Sequence, residues 1–340
     1  MRALQSGSLR AFNSFGTEAR AGLVLVIESE EDLLDLPGFD RSRDLLLGGG
    51  SNVLIIDDVP GTVYLNRIAG IHVLDDDGQT VSVEVGAGEN WHGLVRWSLD
   101  QGLCGLENLS LIPGLAGAAP IQNIGAYGVE LSSVLESVTA WDWQRGRWLN
   151  LPAADCGFAY RDSRFKSVEP DRYLITSIRL RLGRTFQPRL DYPGLAEELD
   201  AAGIRRPTAG DVSEAVCRIR RRKLPDPAVT GNAGSFFKNP VLPADDAAKL
   251  LQRFPGMPSW PAGEDRLKLA AAWMIERCGF KGAQDGAAGV SERHALVLVN
   301  HGAASGREIA ALARRIRLAV EERFGLRLEF EPRLVEFGRD

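Results

Sequence analysis

Three stretches of this chain carry residues whose types and spacing could do chemistry. Gly48-Gly49-Gly50-Ser51-Asn52 sits between two apolar runs, and consecutive N–H donors in such a loop can cradle a diphosphate, as nests and helix N-termini do. Ile112 to Gly128 is seventeen residues with four glycines, four alanines, two prolines and not one charge. Small residues there let a ligand approach main-chain N–H groups, while Pro113 and Pro120 fix φ and hold the loop in shape. Gln122 and Asn123 are its only amide side chains. The third stretch, Lys223 to Pro227 and then Gly231 to Pro240, puts Ser235 directly after Gly234 in a polar turn. No G-x-S-x-G elbow surrounds Ser235 and no histidine lies nearby in sequence, so as a catalytic group it would give a proton rather than attack. Taken one at a time, each stretch also has a plainer reading: a tight turn, a close crossing of buried segments, and a serine capping a helix or turn.

Other chemistries are excluded by pattern. Gly48-x-Gly50 and Gly86-x-Gly88 both lack the third glycine of a Rossmann fingerprint, and no G-x-x-x-x-G-K-[ST] occurs, which argues against a dinucleotide-binding dehydrogenase or a P-loop NTPase. Two separate glycine loops in one chain suit a long diphosphate ligand such as FAD. Cys104, Cys156, Cys217 and Cys278 are widely spaced, with no C-x-x-C pair and no histidine at ligand spacing, so they read as reduced core residues and no metal is expected. A net charge of -5 argues against nucleic acid or an anionic membrane as the main partner. The first residues lack an apolar signal core and no run approaches a membrane span, so a cytoplasmic protein is expected.

The elements that must position these stretches fall into three groups. Leu23 to Ile27, a helix start at Ser29 and Asp32, Leu45 to Leu47, Val53 to Ile56 and Thr62 to Asn66 make a βαββ-like unit. From residue 71 the pattern is mostly β, with Thr80 to Val85 alternating and a helix from Asn90 to Leu99. Trp141, Trp143 and Trp148 around Gly146 predict a hairpin with its tryptophans packed on one face. From Lys223 onward helical spacing dominates: Ala244 to Phe254, Leu267 to Cys278, and Arg307 to Phe324 with the stripe Ile309, Leu312, Ala313, Ile316, Val320 and Phe324. Ala295 to Val299 and the alternating Leu326, Leu328 and Phe330 predict strands.

Together, LGGGSNVL, IPGLAGAAPIQNIGAYGVEL, FAYRDSRFK, KLPDP, GNAGSFFKNP and the closing LEFEPR resemble the UDP-N-acetylenolpyruvoylglucosamine reductases, flavoenzymes of peptidoglycan precursor synthesis. The similarity runs from Asn13 to Arg333 with the motifs in the family's order. It implies an α+β chain of three domains. Residues 1–70 with 326–340, and residues 71–222, would form a p-cresol methylhydroxylase-type FAD-binding fold, and residues 223–325 an α/β substrate domain. The resemblance implies that Gly48, Gly49, Gly50, Ser51, Asn52, Pro113, Gly114, Gln122, Asn123, Gly125 and Tyr127 hold the flavin, with Arg220 and Arg333 on the flavin side. No His or Cys lies within Gly48 to Asn52, so the FAD is expected to be non-covalent.

The implied reaction is two hydride transfers, from NADPH to flavin and from flavin to the enolpyruvyl β-carbon of a UDP-sugar, followed by protonation of the α-carbon. A vinyl ether is a poor hydride acceptor, so charge gathering on its carboxylate side needs cationic support. Arg161, in Tyr160-Arg161-Asp162, matches that role, Ser235 the proton donor, and Glu331 the carboxylate that assists it. Tyr160, Tyr192, Lys223 and Asn239 match substrate contacts, and Tyr192 lies in the insertion LDYPGL that marks the type I branch. His294 falls where the branch often has glutamine. Two departures stand out. The closing Glu329-Phe330-Glu331-Pro332-Arg333 can be aligned on its arginine, giving Glu331 the catalytic position, or on its Glu-Pro pair, giving it to Arg333; strand alternation of Leu328 and Phe330 favours the first. Ala118-Ala119 replaces a pair that often contains serine. A monomer is expected. The alternatives are a flavin oxidase of the same fold acting on an alcohol or hydroxy acid, and a flavin-binding protein without catalysis.

Overall fold

The computed structural model describes residues 2–337, without the side chains of Gln5 and Ser6. Contacts gather the chain into two units. The first holds residues 21–50 and 59–221 with the N-terminal segment up to Gly7; the second holds residues 8–20, 51–58 and those from Arg222 onward.

The first unit contains two sheets. In one, Val59–Asn66 runs parallel to Arg20–Ile27 on one side and to Leu45–Leu47 on the other, with Arg2–Ser8 at the outer edge. Strands buried in a parallel sheet read as continuous apolar runs, which is why these short stretches are legible. Leu25, Ile27 and Tyr64 pack against Trp141, Trp143 and Trp148, and Trp141 pairs directly with Trp148 across the predicted hairpin. The second sheet is antiparallel, in the order Arg147–Pro152, Leu135–Asp142, Tyr173–Gly183, Thr80–Gly86 and Ile71–Asp76. Helix α1, Trp91–Asp100, lies in its core cluster through Trp91, Leu94 and Val95, and the side chain of Asn90 caps it by accepting the Gly93 N–H at 2.8 Å.

Several expectations need correction. Ser29 to Leu36 forms only a 3-10 turn, Glu31–Asp35, where Asp32 accepts the N–H groups of Glu28 and Ser29. Residues 71–222 end in two helices, α2 at Leu195–Ala201 and α3 at Ala209–Lys223, which bury Val212, Ala215, Val216 and Ile219 against Leu195 and Leu199. The apolar spacing of α3 is regular but thinned by the arginines at its end.

In the second unit, α4 (Ala244–Arg253), α5 (Ala271–Arg277) and α6 (Gly306–Phe324) share one core. The whole predicted stripe of α6 is buried. A capping box of Ser305 and Glu308 starts this helix, and Gly325 ends it at φ +72°. The expected helix over Leu267 to Cys278 is shorter: Arg266–Leu269 is a strand, and α5 begins where Asn239 Oδ1 accepts the Ala271 N–H at 3.0 Å. The expected strand over Leu326 to Phe330 reduces to a single bridge between Phe237 and Phe330. The last strand is Arg333–Val335, parallel to Val53–Ile55. Residues 326–337 and 51–58 therefore group with residue 222 onward, not with the remainder of the first seventy.

Among the described residues no helix is long and apolar enough to cross a membrane, and no His, Cys, Asp and Glu cluster could hold a metal. The four cysteines are unpaired thiols, with Cys156 pushed up to about 11 by burial.

Candidate active site

In the first unit the two uncharged glycine stretches meet. Strand Leu45–Leu47 delivers Gly48 and Gly49 against the second loop: a Cβ on Gly49 would lie 3.1 Å from the Gly114 Cα, and one on Gly48 3.5 Å from the Ala118 Cβ. Gly50 turns the chain at φ +61° and Gly114 at φ +114°, while Pro113 is exposed beside it. Backbone without side chains therefore forms a surface that other residue types would fill. That is the requirement for a ligand to lie on main-chain groups, and it fits the diphosphate of FAD.

The second loop is held from within. The N–H groups of Ala116, Gly117, Ala118 and Ala119 go to the carbonyls of Glu89, Ala87, Leu115 and Ala116. Those four amides are therefore spent on the fold, and the loop presents less free backbone than its composition suggested. Gly117 lies so close to Ala87 that any side chain would clash, while Gly86 and Gly88, on either side of Ala87, are held to glycine by the backbone of Arg67, Ile68 and Ala69.

Asn123, expected to touch the cofactor, is 1% exposed and adopts φ +45°. Its Nδ2 donates to Glu130 at 2.8 Å and its Oδ1 accepts the Ser132 N–H at 3.0 Å, so its side chain holds the loop. Gln122 is half-buried, with its Oε1 3.4 Å from the Lys166 ammonium.

Cations gather at the far end of this loop. Arg161, itself at φ +55°, donates from Nη2 to the Gly125 carbonyl at 2.7 Å and lies over the Tyr160 ring at 5.4 Å. A Cβ on Gly125 would come 3.0 Å from Arg161 Nη1, so any side chain there would crowd the guanidinium. Arg220, on the face of α3, donates from Nε to the Leu111 carbonyl at 3.2 Å. Burial pulls its pKa below the ordinary arginine range, with Arg161 adding repulsion and Tyr127 opposing it. The ring of Tyr127, at φ +50°, meets that of Tyr192. Two positively charged guanidinium groups beside an uncharged backbone surface make this end of the loop attractive to anions.

In the second unit the serine turn is built by Asn232. This buried amide donates to the carbonyls of Pro225 (3.1 Å) and Thr230 (2.8 Å) and accepts the Gly234 N–H at 3.0 Å. Gly234, at φ +68°, then turns Ser235 into a ribbon of three segments. Ser235 bridges Val297, Phe236 donates its N–H to the Leu296 carbonyl (2.7 Å), and the Phe236 carbonyl accepts the Glu331 N–H (2.9 Å). Ser235 and Glu331 thus lie on adjoining segments, both half-buried, while Phe236 and Phe237 anchor the ribbon in the core. Glu329, two residues earlier, is engaged by Lys238 at 2.9 Å.

Asn52 donates weakly to the Glu331 carbonyl (3.4 Å) and accepts the N–H of Arg333 (3.0 Å), so Asn52 and its neighbour Ser51 sit beside the closing strand. Arg333 is exposed on that strand. Asn239 spends its Oδ1 on α5, leaving its amide nitrogen as the end that could meet a ligand. His294 accepts the Leu296 N–H on Nδ1 at 3.3 Å, and burial, then the charge of exposed Lys223, holds its pKa below the usual histidine value.

Sequence reasoning missed three supports of the site. Arg67 donates from Nη1 to the Gly48 carbonyl at 3.0 Å, His92 accepts the Leu111 N–H at 3.0 Å, and Asn232 holds the serine turn. The available signals were an arginine directly after the central strand, a histidine in the first turn of α1, and an asparagine between two glycines.

Residues 226–335 match the family model described as UDP-N-acetylenolpyruvoylglucosamine reductase, C-terminal domain, and residues 22–152 match the FAD binding domain family. The chain is 51% identical to the UDP-N-acetylenolpyruvoylglucosamine reductase of Chromobacterium violaceum, covering 95% of this chain and 96% of that one. It is 50% identical to that of Pseudomonas aeruginosa, over 96% and 97% of the two chains. Among solved structures, the reductase of Thermus caldophilus superposes with a TM-score of 0.69 at 27% identity, covering 99% of this chain and all of that one.

Proposed function

The chain belongs to the UDP-N-acetylenolpyruvoylglucosamine reductase family, oxidoreductases of peptidoglycan synthesis that use FAD and NADPH, and we propose that it converts UDP-N-acetylglucosamine enolpyruvate to UDP-N-acetylmuramate. Bound FAD would supply a two-electron relay between NADPH and the enolpyruvyl β-carbon. The chain's own residues do the rest. Gly48, Gly49, Gly50, Pro113 and Gly114 present an unobstructed backbone to the cofactor, with Ser51, Asn52, Gln122, Gly125, Tyr127, Arg220 and Arg333 completing its contacts; Asn123 acts by holding the loop. No His or Cys stands within residues 48–52 to form a covalent link.

Arg161 carries the charge that develops on the carboxylate side of the alkene as hydride arrives. Its bond to the Gly125 carbonyl fixes its direction. Ser235 gives its hydroxyl proton to the α-carbon, and Glu331 assists it. Tyr160, Tyr192, Lys223, Asn239 and His294 serve as substrate contacts. Cytoplasmic residence and a monomeric state accompany this reading.

The observation that most supports the catalytic assignment is the hydrogen bond from the Glu331 N–H to the Phe236 carbonyl. It supports Glu331 as the carboxylate on this segment nearer to Ser235, since Glu329 pairs further along, beside Lys238. The decisive experiment follows the flavin absorbance of the purified protein under anaerobic conditions, first with NADPH and then with UDP-N-acetylglucosamine enolpyruvate. The band should bleach on the first addition and return on the second. Return with oxygen alone would refute the substrate, and a protein that takes up no FAD would refute the whole reading.

A further inference from the structure

Among the described residues, Leu111 is one of six non-glycine residues with positive φ, at +58°, a conformation that costs an L residue energy and needs support from its surroundings. Both of its main-chain polar groups are engaged by side chains. Its N–H donates to Nδ1 of His92 at 3.0 Å, and its carbonyl accepts from Nε of Arg220 at 3.2 Å. Ser110, the residue before it, is buried and shares a hydrogen bond of 2.7 Å with the Ser213 hydroxyl of α3. Three residues after Leu111, the Gly114 carbonyl accepts the Trp91 N–H at 3.0 Å. The arc from Leu111 to Gly114 therefore hangs at both ends from the first turn of α1, and α3 holds it from the other side. Among the described residues, Leu111 itself is not part of the apolar clusters that hold α1 and α3. Its backbone, not its side chain, is what the fold grips.

We propose that His92 is a positioning residue for the cofactor-side loop: through Nδ1 it stabilises the left-handed turn at Leu111 and so sets where Pro113 and Gly114 stand against Gly49. This rests on the reading that these loops hold FAD. An imidazole can accept at Nδ1 only when that nitrogen carries no proton, so the clamp exists only with neutral His92 bearing its proton on Nε2. Its surroundings favour that form. Burial comes first, followed by the positive charges of Arg96 on its own helix and of Arg221 and Arg220 on α3, with Glu214 alone opposing. Acidification breaks the clamp by adding the proton that Nδ1 must lack.

The test measures the dissociation constant of FAD from the holoenzyme, by the rise of flavin fluorescence on dilution, between about pH 5.5 and 8. His92→Ala should raise it at least about fivefold, the loss of one hydrogen bond. His92→Asn, whose Oδ1 can accept in place of Nδ1 and does not titrate, should stay near wild type and be flat with pH where the wild type weakens on acidification. Adding Leu111→Gly to His92→Ala should restore most of the affinity, because glycine takes the left-handed conformation without help. A His92→Ala protein that binds FAD as the wild type does overturns the proposal. So does a pH dependence that persists in His92→Asn, or a failure of Leu111→Gly to rescue. Gly49→Val separates this from the underlying assignment. If it weakens FAD while His92→Ala does not, only the clamp falls; if it leaves FAD binding unchanged, the cofactor assignment falls as well.

Discussion

The ring of Tyr192 stands edge-on to that of Tyr127, with centroids 5.0 Å apart and planes at 66°. One buried residue, Asn108, donates to the carbonyls of Tyr127 (2.8 Å) and of Arg189 (2.9 Å), three residues before Tyr192. Tyr192 is thus held against one wall while 43% of it stays exposed to meet a ligand. Tyr192→Ala should raise KM for the sugar nucleotide several-fold, an aromatic pair of this geometry contributing about 0.5–1.5 kcal/mol. Tyr192→Phe should keep most of that affinity if the ring supplies it. Steady-state kinetics on the two variants decides between ring and hydroxyl.

Ser235→Ala should leave reduction of the flavin by NADPH near normal and slow reoxidation by substrate at least ~10²-fold, since only the second half-reaction needs the proton. Stopped-flow absorbance separates the two. Equal slowing of both half-reactions would remove Ser235 from the proton-donor role.

Stability should fall on mild acidification. The pKa of His294 in the folded protein lies below the usual 6.5, through burial first and Lys223 second. Just below pH 6.5 the unfolded chain therefore binds more protons than the native one. The stabilisation is complete above about pH 6.5 and is lost as pH falls toward the depressed native value. Urea midpoints measured across this range should show the decline, and His294→Gln should flatten it, leaving the part due to His92, which is depressed in the same sense.

Asp142, with no exposed surface, lies under the guanidinium of Arg172, which donates from Nη2 at 2.7 Å and from Nε at 3.2 Å. Burial alone would push this carboxyl up, but the hydrogen bonds and charge of Arg172 hold it below its ordinary value. Arg172→Met should destabilise the first unit by about 3 kcal/mol or more, because a buried carboxylate loses its counter-charge. Replacing Asp142 by leucine as well should recover part of the loss. Chemical denaturation of both variants measures the difference.

The parts of this molecule legible in its sequence were those governed by local rules. The apolar face of Asn90 to Leu99 announced helix α1, Gly325 a helix end, and the tryptophans around Gly146 a hairpin. The glycine loops were visible because no side chain fits where they approach each other. What stayed hidden depends on distant partners. Asn239 looked like a ligand contact, and its Oδ1 also starts α5; Asn123 looked like a cofactor contact, and its buried amide serves Glu130 and Ser132. A polar residue's type says that it needs hydrogen bonds, not whether protein or ligand supplies them. Helix α3 escaped because its charged end masks a regular apolar face, and His92 because nothing local distinguishes an acceptor of a strained N–H from a surface histidine.

The parallel pairing of Arg333–Val335 with Val53–Ile55 has a consequence for how the protein is made. Everything grouped in the first unit has been synthesised once residue 221 is joined, so that unit can fold while the chain is still growing. The second unit cannot. Residues 8–20 and 51–58 must wait, with Leu54 and Phe15 unburied, for partners almost three hundred residues away, and such long-range closure is slow. The nascent chain thus carries an open apolar seam until its final strand emerges, and that interval is when it most needs a chaperone.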